Sequence, residues 1–214
     1  MRRARSPEAK ERRREAILQA AAQLVEDQAF DGVTMAGVAR AAGIAKGTTY
    51  LYFRTKEELF LALLQEEYAA WFDLARRELS AMTPGSSPHE VADLLVQNLR
   101  SRKRLLRLME WLHVVFEHNV AEEPGLAFKL WLRDQVLATG AVLAHAAAIT
   151  PDEATRLILR MHALVVGLRQ MTRPSPAIVR IMERDDMASM RLDFVSELTG
   201  VLADLIRAAH ARQA

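Results

Sequence analysis

Residues 45–60 read AKGTTYLYFRTKEELF and combine polar, basic and aromatic side chains in an order that few structural roles tolerate. The stretch places a lysine, a glycine, two threonines and two tyrosines within about two helical turns, ahead of an amphipathic run. A buried helix would leave the polar groups short of hydrogen-bond partners, and a solvent-facing helix gains nothing from so many aromatic rings. The composition therefore indicates a surface that meets another molecule.

The residues before this stretch predict two short helices joined by a tight turn. Thr34 can cap a helix over Met35–Ala41, and Gly43 can supply the left-handed backbone that a tight helix-to-helix turn requires. A second short helix then begins at Ala45. This spacing is typical of a helix-turn-helix, whose second helix enters the major groove of DNA while the first crosses the backbone.

On this interpretation, the outward side chains contact DNA and the apolar ones pack. Gly47 permits close approach to the duplex, Lys46 reaches base edges and phosphates, and Tyr50 and Tyr52 aim hydroxyls at phosphate oxygens. Lys56 reaches a phosphate from the start of the next helix, where the helix dipole helps. Thr48 and Thr49 also lie where base edges and phosphates can be reached. Phe53, Ile44 and Leu51 are predicted to pack, and packing of either tyrosine against the next helix is the open alternative.

Two other kinds of site fit the spacing less well. Gly43 and Gly47 lie four residues apart, as in a phosphate-binding loop, but the lysine precedes the second glycine and no strand precedes the loop. Glu110 and His113, with Glu117 beyond them, resemble one half of a metal site in a helical bundle, where a di-metal carboxylate site needs two such halves. No set of nucleophile, base and orienting residue can be recognised. We predict no metal, no cofactor and no catalytic residue.

Beyond this segment, the chain has helical periodicity and no strand-like alternation. Helix starts are indicated at Ser6-Pro7 and at three capping boxes, which pair Thr55 with Glu58, Ser87 with Glu90 and Thr150 with Glu153. Breaks are predicted near residues 31–32, 84–88, 122–125 and 173–176. The sequence predicts an all-α protein of about nine helices: an N-terminal three-helix helix-turn-helix domain followed by a larger helical domain.

Composition and charge agree with a DNA-binding segment attached to a neutral body. The chain has 214 residues, of which 50% are hydrophobic, and no cysteine. It lacks an apolar run near the ~18 residues of a membrane span, so we expect no membrane partner and a cytoplasmic location. Residues 1–56 hold 11 Lys and Arg against 6 Asp and Glu, whereas residues 57–214 are net acidic. Clustered cations favour polyanion binding; a solubilising basic tail is the alternative. We therefore predict a DNA-binding domain over residues 1–56, with Arg2, Arg3 and Arg5 as a possible minor-groove arm. Residues 57–214 form the helical body, for which effector binding and dimerisation are the predictions developed below.

Residues 17–64 resemble the DNA-binding domain of the TetR family of bacterial transcriptional regulators. The resemblance covers about a quarter of the chain. It is carried by Thr34, Val38-Ala39, Ala42-Gly43-Ile44, Lys46-Gly47, Tyr50-Leu-Tyr-Phe53 and Lys56-Glu-Glu-Leu59. It implies an Ω-shaped homodimer with small DNA-binding heads and a larger helical ligand-binding and dimerisation domain. By motif position it implies DNA contacts at Thr34, Lys46, Gly47, Tyr50, Tyr52 and Lys56, with Thr48 and Thr49 as further candidates for base contact. Where many relatives carry histidine, this chain has Tyr52, which keeps a hydrogen-bonding group but loses a titratable one.

The last two long helices are predicted to form a dimer interface. One three-helix head reads few base pairs, so specificity favours two heads about 34–36 Å apart on a two-fold axis. The helix over residues 157–171 is apolar nearly all round, and Ala163 and Gly167 permit close backbone approach. The final helix presents Phe194, Leu198, Val201, Leu202 and Leu205. Packing within one chain is the open alternative.

Bulky side chains on the central helices suggest a mostly apolar pocket for a small effector of unknown identity. The predicted ligand contacts are Trp71, Phe72, Met109, His113, Phe116, Trp131 and His162, although aromatic and methionine side chains at helical spacing are more often core. The function predicted is a DNA-binding transcriptional regulator that binds a pseudo-palindromic double-stranded operator as a homodimer; repression, with release by the effector, is what the resemblance implies. The rivals are a helical-bundle enzyme or carrier with an incidental basic head, and an architectural protein without an effector.

Overall fold

The computed structural model describes residues 7–116 and 119–213, without the side chains of residues 27, 114 and 115. Arg2, Arg3, Arg5, Ser6 and Glu117 lie outside the described residues. Within them the chain is all-α, as predicted, with ten α-helices and no strand. The α-helices are α1 (Pro7–Asp27), α2 (Met35–Ala41), α3 (Lys46–Thr49), α4 (Lys56–Ser80), α5 (Pro88–Arg100), α6 (Lys103–Trp111), α7 (Glu122–Ala147), α8 (Pro151–Thr172), α9 (Pro176–Met182) and α10 (Phe194–Ala211). Phe30–Gly32 and Asp185–Met190 form 3-10 helices, and Leu112–Phe116 a π-helix. None of the helices in the described ranges is long and apolar enough to cross a membrane.

The chain folds into two compact units. The first combines the residues up to Glu67 with Lys103–Lys129, and the second combines Tyr68–Arg102 with the residues from Leu130 onward. These units are defined by packing rather than by function, so the functional boundary at residue 56 stays a prediction.

The core of the first unit is built on the apolar face of α1. Ile17, Leu18, Ala21 and Val25 are buried there, and α1 packs against α2 and α6. Val38, from the centre of α2, is also buried. The predicted inward face of the first helix is thus confirmed, and it holds α2 in a fixed orientation.

Four aromatic rings form a second part of this core. Phe30, Phe60, Trp111 and Phe116 have ring centroids 5.4–6.2 Å apart, and the rings of Phe60 and Phe116 are stacked within 7° of parallel. Such spacings lie in the favourable range for aromatic pairs. The cluster fixes the start of α4, and with it the residues that follow α3.

The second unit is a bundle in which α10 packs against α5 and α8. Leu198, Leu202 and Ile206 of α10 are buried in this packing. At the start of α5, Ser87 and Glu90 form a complete capping box: the Ser87 N–H donates to Glu90 Oε2 at 3.0 Å, and the Glu90 N–H donates to Ser87 Oγ at 3.3 Å. The prediction for this helix start is confirmed.

The other two predicted capping boxes are only half formed. The N–H of Glu58 donates to Thr55 Oγ1 at 3.1 Å, but the Glu58 carboxylate accepts from the N–H of Arg54. Thr150 Oγ1 likewise accepts from the N–H of Glu153 at 3.2 Å, while the Glu153 carboxylate binds Arg212. In each case, the glutamate carboxylate accepts from a donor other than the N–H of the cap residue.

Two predicted breaks are also corrected. Residues 122–125 belong to α7, because Pro124 sits in the first helical turn, where its missing N–H costs no hydrogen bond. The Gly125 N–H already donates to the carbonyl of Ala121 at 3.0 Å. After α8, the predicted connector contains α9 and a 3-10 helix, Asp185–Met190.

Candidate nucleic-acid interface

The predicted helix-turn-helix is present, with α2 and α3 as its two helices. Thr34 Oγ1 caps α2 by accepting the N–H of Gly37 at 3.0 Å. At the other end, Gly43 has a φ of +65°. The Ile44 N–H donates to the carbonyl of Ala39 at 2.9 Å and the Gly43 N–H to that of Arg40 at 3.1 Å. This pair of bonds is a Schellman motif, which ends α2 and turns the chain into α3.

Lys46 and Gly47 lie on the exposed side of α3. A methyl group built on Gly47 would meet no atom within 4 Å, and its φ lies outside the left-handed region. Neither packing nor backbone conformation within the chain therefore requires glycine at this position. The surface is open to an approaching molecule.

Thr49 is the clearest correction to the predicted DNA contacts. Its side chain is fully buried, and its Oγ1 donates to the carbonyl of Lys46 at 2.6 Å. It therefore stabilises α3 from inside and does not reach DNA. Thr48 is half-buried, so its side chain is less covered than that of Thr49.

The aromatic segment after α3 alternates between core and surface. Phe53 is 5% exposed, as predicted, whereas Tyr50 is 43% exposed and Tyr52 half-buried. Leu51, which was predicted to pack, is 75% exposed. Ile44, the other residue predicted to be core, is half-buried. The surface around α3 thus carries an apolar side chain that the sequence interpretation missed.

Lys56 lies at the start of α4, but its ammonium group is already engaged. Lys56 Nζ donates to the carbonyl of Phe30 at 3.0 Å and lies 3.8 Å from the centroid of the Phe30 ring. The Phe30 carbonyl takes one of the three N–H donors of the ammonium group, and the Phe30 ring face attracts its charge. Lys56 joins the aromatic cluster to the helix-turn-helix.

Two arginines near the turn were also missed. Arg40, in the last turn of α2, and Arg54, just before α4, are both exposed. Their charge and their nearness to Gly43 and Phe53 in the sequence were the signals that could have found them.

The predicted ligand contacts are distributed over both units. Met109 and Phe116 are buried in the first unit, whereas Trp71 and Phe72 are buried in the second, with Trp131 and His162 half-buried there. His113 is exposed, unlike the others.

Within the second unit, a polar group lies among the aromatic side chains. Tyr68 Oη and His162 Nδ1 are 2.9 Å apart, and the Tyr68 ring lies 5.8 Å from that of Phe72. Trp71 is buried, and its Nε1 has no hydrogen-bond partner among the described residues. In the described ranges, no group of three or more His, Asp or Glu side chains is arranged to hold a metal ion.

A glycine-hinged pair of short helices that exposes Lys46, Gly47 and Tyr50 defines a helix-turn-helix DNA-binding regulator. Family comparison agrees: the pattern described as "Bacterial regulatory proteins, tetR family" matches residues 17–63, and that described as "Tetracyclin repressor-like, C-terminal domain" matches residues 65–213. The chain belongs to the TetR family of bacterial transcriptional regulators.

Individual relatives are regulators rather than enzymes. The chain is 27% identical over 168 residues to the HTH-type transcriptional regulator BetI of Rhizobium meliloti (strain 1021). The matched residues make up 77% of this chain and 80% of that protein. A TetR-family regulator from Streptomyces coelicolor superposes with a TM-score of 0.60 at 17% identity, over 92% of this chain and 99% of that one. FadR of Bacillus subtilis, solved in complex with stearoyl-CoA, has a TM-score of 0.57 at 16% identity, over 90% and 96% of the two chains. At these identities, the two solved structures share the fold.

Proposed function

We propose that this regulator is a repressor that binds a pseudo-palindromic operator as a homodimer and is released by a small, largely apolar effector. Residues 1–56 supply the DNA-binding part, with one α3 for each half-site. The helices after residue 56 supply the effector site and the dimer contacts. Each part of this proposal has its own support and its own test.

The observation that carries the DNA-binding part is the open surface at Gly47. Glycine inside a helix costs about 0.5–1 kcal/mol relative to alanine, and no contact in the part of the chain that the structure describes explains the residue here. A close approach by the duplex backbone gives a reason. Lys46 beside it can then reach base edges or phosphates, and the exposed Tyr50 and half-buried Tyr52 can donate to phosphate oxygens.

Leu51 extends this surface with an apolar contact. Exposed leucine next to a polar DNA-facing segment fits the methyl group of thymine, which is the main apolar feature of the major groove. Thr34, which is exposed and uses its oxygen as an acceptor for Gly37, still has a hydroxyl proton to donate to a phosphate. Lys56 adds a positive charge that attracts phosphate groups.

Selection from random double-stranded oligonucleotides tests the proposal most directly. We expect the full chain to recover an inverted repeat whose half-site centres lie about 10 base pairs apart or a multiple of that, the spacing that a two-fold dimer of such heads imposes. Recovery of a single direct site, or of no shared sequence, would contradict the operator and the symmetry together.

Substitution of two lysines separates base contact from phosphate contact. Lys46→Ala should change the preference among selected sequences, whereas Lys56→Ala should weaken binding to every sequence and reduce the slope of log K against log salt by about 1. The thermal stability of Lys56→Ala must be measured as well, because this variant also loses the hydrogen bond to Phe30. Lys129→Ala, an exposed lysine of α7, is the control and should change neither property. If Lys46→Ala and Lys56→Ala both bind the selected site as wild type does, α3 does not face DNA.

The dimer is supported by exposed small and apolar residues on α8. Leu159, Ala163 and Gly167 are exposed on one face of this helix, while Leu157, Ile158 and Met161 are buried on another. On α10, Leu198 and Leu202 were predicted to face the partner but are buried within their own chain, whereas Gly200 and Ala208 are exposed. Small residues on both helices would let two copies approach closely. Sedimentation velocity of the wild-type chain and of Gly167→Arg tests this: we expect a dimer and a monomer, respectively.

The effector is supported by the unpaired indole of Trp71. A buried N–H without a partner costs about 1–3 kcal/mol, and a ligand that carries a hydrogen-bond acceptor would recover that cost. Phe72 and the pair Tyr68–His162 supply apolar surface and a second polar group in the same unit. These residues fit a mainly apolar molecule with one polar end.

Operator affinity with and without candidate effectors tests the release. Because the similar fold of FadR binds stearoyl-CoA, we choose stearoyl-CoA and free stearate as first probes, with coenzyme A alone as the control for the polar part. We expect the acyl compounds to weaken binding of a labelled operator and coenzyme A to leave it unchanged. Trp71→Phe should keep operator affinity and lose about 5-fold or more of the effector response. A wild-type response in Trp71→Phe would remove the indole from the effector site.

A further inference from the structure

The segment between α8 and α10, residues 173–193, is unusual because so little of it is covered by the rest of the described chain. It contains α9 and the 3-10 helix Asp185–Met190, and none of its residues is buried. Connections between neighbouring helices commonly need only about 2–8 residues. This chain uses 21, which we call the arm. Such a length requires a reason other than joining the two helices.

The arm has a defined shape despite its exposure. The guanidinium of Arg191 donates to three backbone carbonyls, those of Met182, Glu183 and Arg184, at 2.6–2.9 Å. Arg184 in turn binds both carboxylate oxygens of Asp186 at 2.7 and 2.9 Å. These bonds join the end of α9 to the residues before α10, so the arm is a folded element rather than a loose loop.

Five large apolar side chains of the arm are exposed to solvent. Ile178, Val179, Ile181, Met190 and Leu192 are each between 36% and 65% exposed. Exposed apolar area in one short segment is typical of a surface that another molecule covers. Charged residues such as Arg180 and Glu183 are exposed in the same segment, and protein interfaces commonly combine apolar with charged side chains.

We propose that the arm packs against a second copy of this chain, an inference that rests on the proposed homodimer. The arm starts directly after Met171, the exposed end of the α8 face that also carries Leu159, Ala163 and Gly167. Two-fold symmetry brings the same patch of both copies together. One chain therefore carries both an uncovered apolar arm and an uncovered small-residue helix face, and a symmetric pair covers both.

The absence of cysteine from the sequence allows a direct test. Ile181→Cys and Leu126→Cys introduce one thiol each, in the arm and on the exposed part of α7. We expect alkylation of Ile181→Cys by N-ethylmaleimide to slow at least tenfold as protein concentration rises through the dimer dissociation constant. Alkylation of Leu126→Cys should stay constant. Protection at every concentration would place the arm against its own chain, and protection that needs operator DNA or acyl-CoA would assign it to that ligand; either overturns the proposal.

Charge substitution in the arm separates this inference from the dimer itself. Ile178→Asp with Ile181→Asp should leave the helical circular dichroism of the monomer unchanged, because neither side chain is buried there. The dimer dissociation constant should rise about 100-fold or more, since both arms lose apolar contact. A monomeric wild type would contradict the proposed dimer. A wild-type dimer that Gly167→Arg disrupts, with the double variant dimerising as wild type does, would overturn the arm alone.

Discussion

Replacement of Gly47 by alanine adds one methyl group, whose effects on folding stability and on DNA affinity are expected to be opposite. The added methyl group meets no atom within 4 Å, and the backbone at residue 47 is not left-handed. Because alanine in a helix is favoured over glycine by about 0.5–1 kcal/mol, Gly47→Ala should be as stable as wild type or more stable by up to that amount. No feature of the free protein opposes the substitution.

Bound DNA should oppose it. If the duplex lies against Gly47, the methyl group enters a packed interface, where an added carbon typically costs about 1–3 kcal/mol. A dimer carries two copies of the substitution, so a loss of about 2 kcal/mol or more is expected, which is about 30-fold in affinity. The loss should affect all operator variants similarly, because the clash is with the backbone.

Thermal unfolding and fluorescence anisotropy with a labelled operator measure the two effects. Gly43→Ala is the matched control: there too a methyl group meets no atom, but φ is +65°. A left-handed residue other than glycine costs about 1–2 kcal/mol, so Gly43→Ala should lose stability while Gly47→Ala does not. Wild-type affinity in a stable Gly47→Ala protein would refute close approach at α3 and remove the main support for the interface.

Three further predictions concern residues within the chain. Ala148, at the end of α7, has a φ of +51°, so Ala148→Gly should raise the unfolding midpoint by about 2 °C, the strain relieved exceeding the entropy added to the unfolded chain. Thr49→Val should lower stability by about 1 kcal/mol, because the hydrogen bond to Lys46 is lost, and should leave the preferred operator sequence unchanged; an altered preference in repeated oligonucleotide selection would reinstate Thr49 as a DNA contact. The hydrogen bond from Arg212 holds the pKa of Glu153 below its usual value, so its stabilisation is present above about pH 4.3 and is lost as pH falls through the lowered pKa. Arg212→Gln should therefore be less stable than wild type in urea at pH 7, with the difference shrinking below pH 4; an equal difference at both pH values would contradict this.

The helix-turn-helix could be predicted because its signals are local. A threonine cap at residue 34, a glycine turn at residue 43 and the apolar face of α1 each depend on a few neighbouring residues. The errors at Thr49 and Leu51 have different causes. Thr49 is the last of the four residues of α3, and its side chain turns inward and donates to the carbonyl of Lys46. Leu51 lies beyond the end of α3, where an apolar residue type alone does not predict packing.

The half-formed capping boxes failed for a different reason. Whether a glutamate three residues after a cap turns back to the cap depends on other donors nearby. Glu58 accepts from Arg54 N–H, a neighbour in sequence, but Glu153 binds Arg212, 59 residues away. Such a competitor is visible only after the chain has folded, so the pattern predicts the helix start reliably and the glutamate's partner poorly.

Both proposed surfaces contain glycines that neither packing nor backbone conformation requires. Gly140 is required by packing, since a methyl group there would lie 2.8 Å from Thr155 Oγ1, and Gly43 is required by its backbone. Gly47, Gly167 and Gly200 meet nothing within 4 Å and have no left-handed backbone, although each lies in a helix, where alanine is favoured. The free chain would gain stability from a methyl group at all three positions. Gly47 lies on the proposed DNA surface, and Gly167 and Gly200 lie on the proposed dimer faces, so each glycine fits a close contact with another molecule better than it fits the isolated fold.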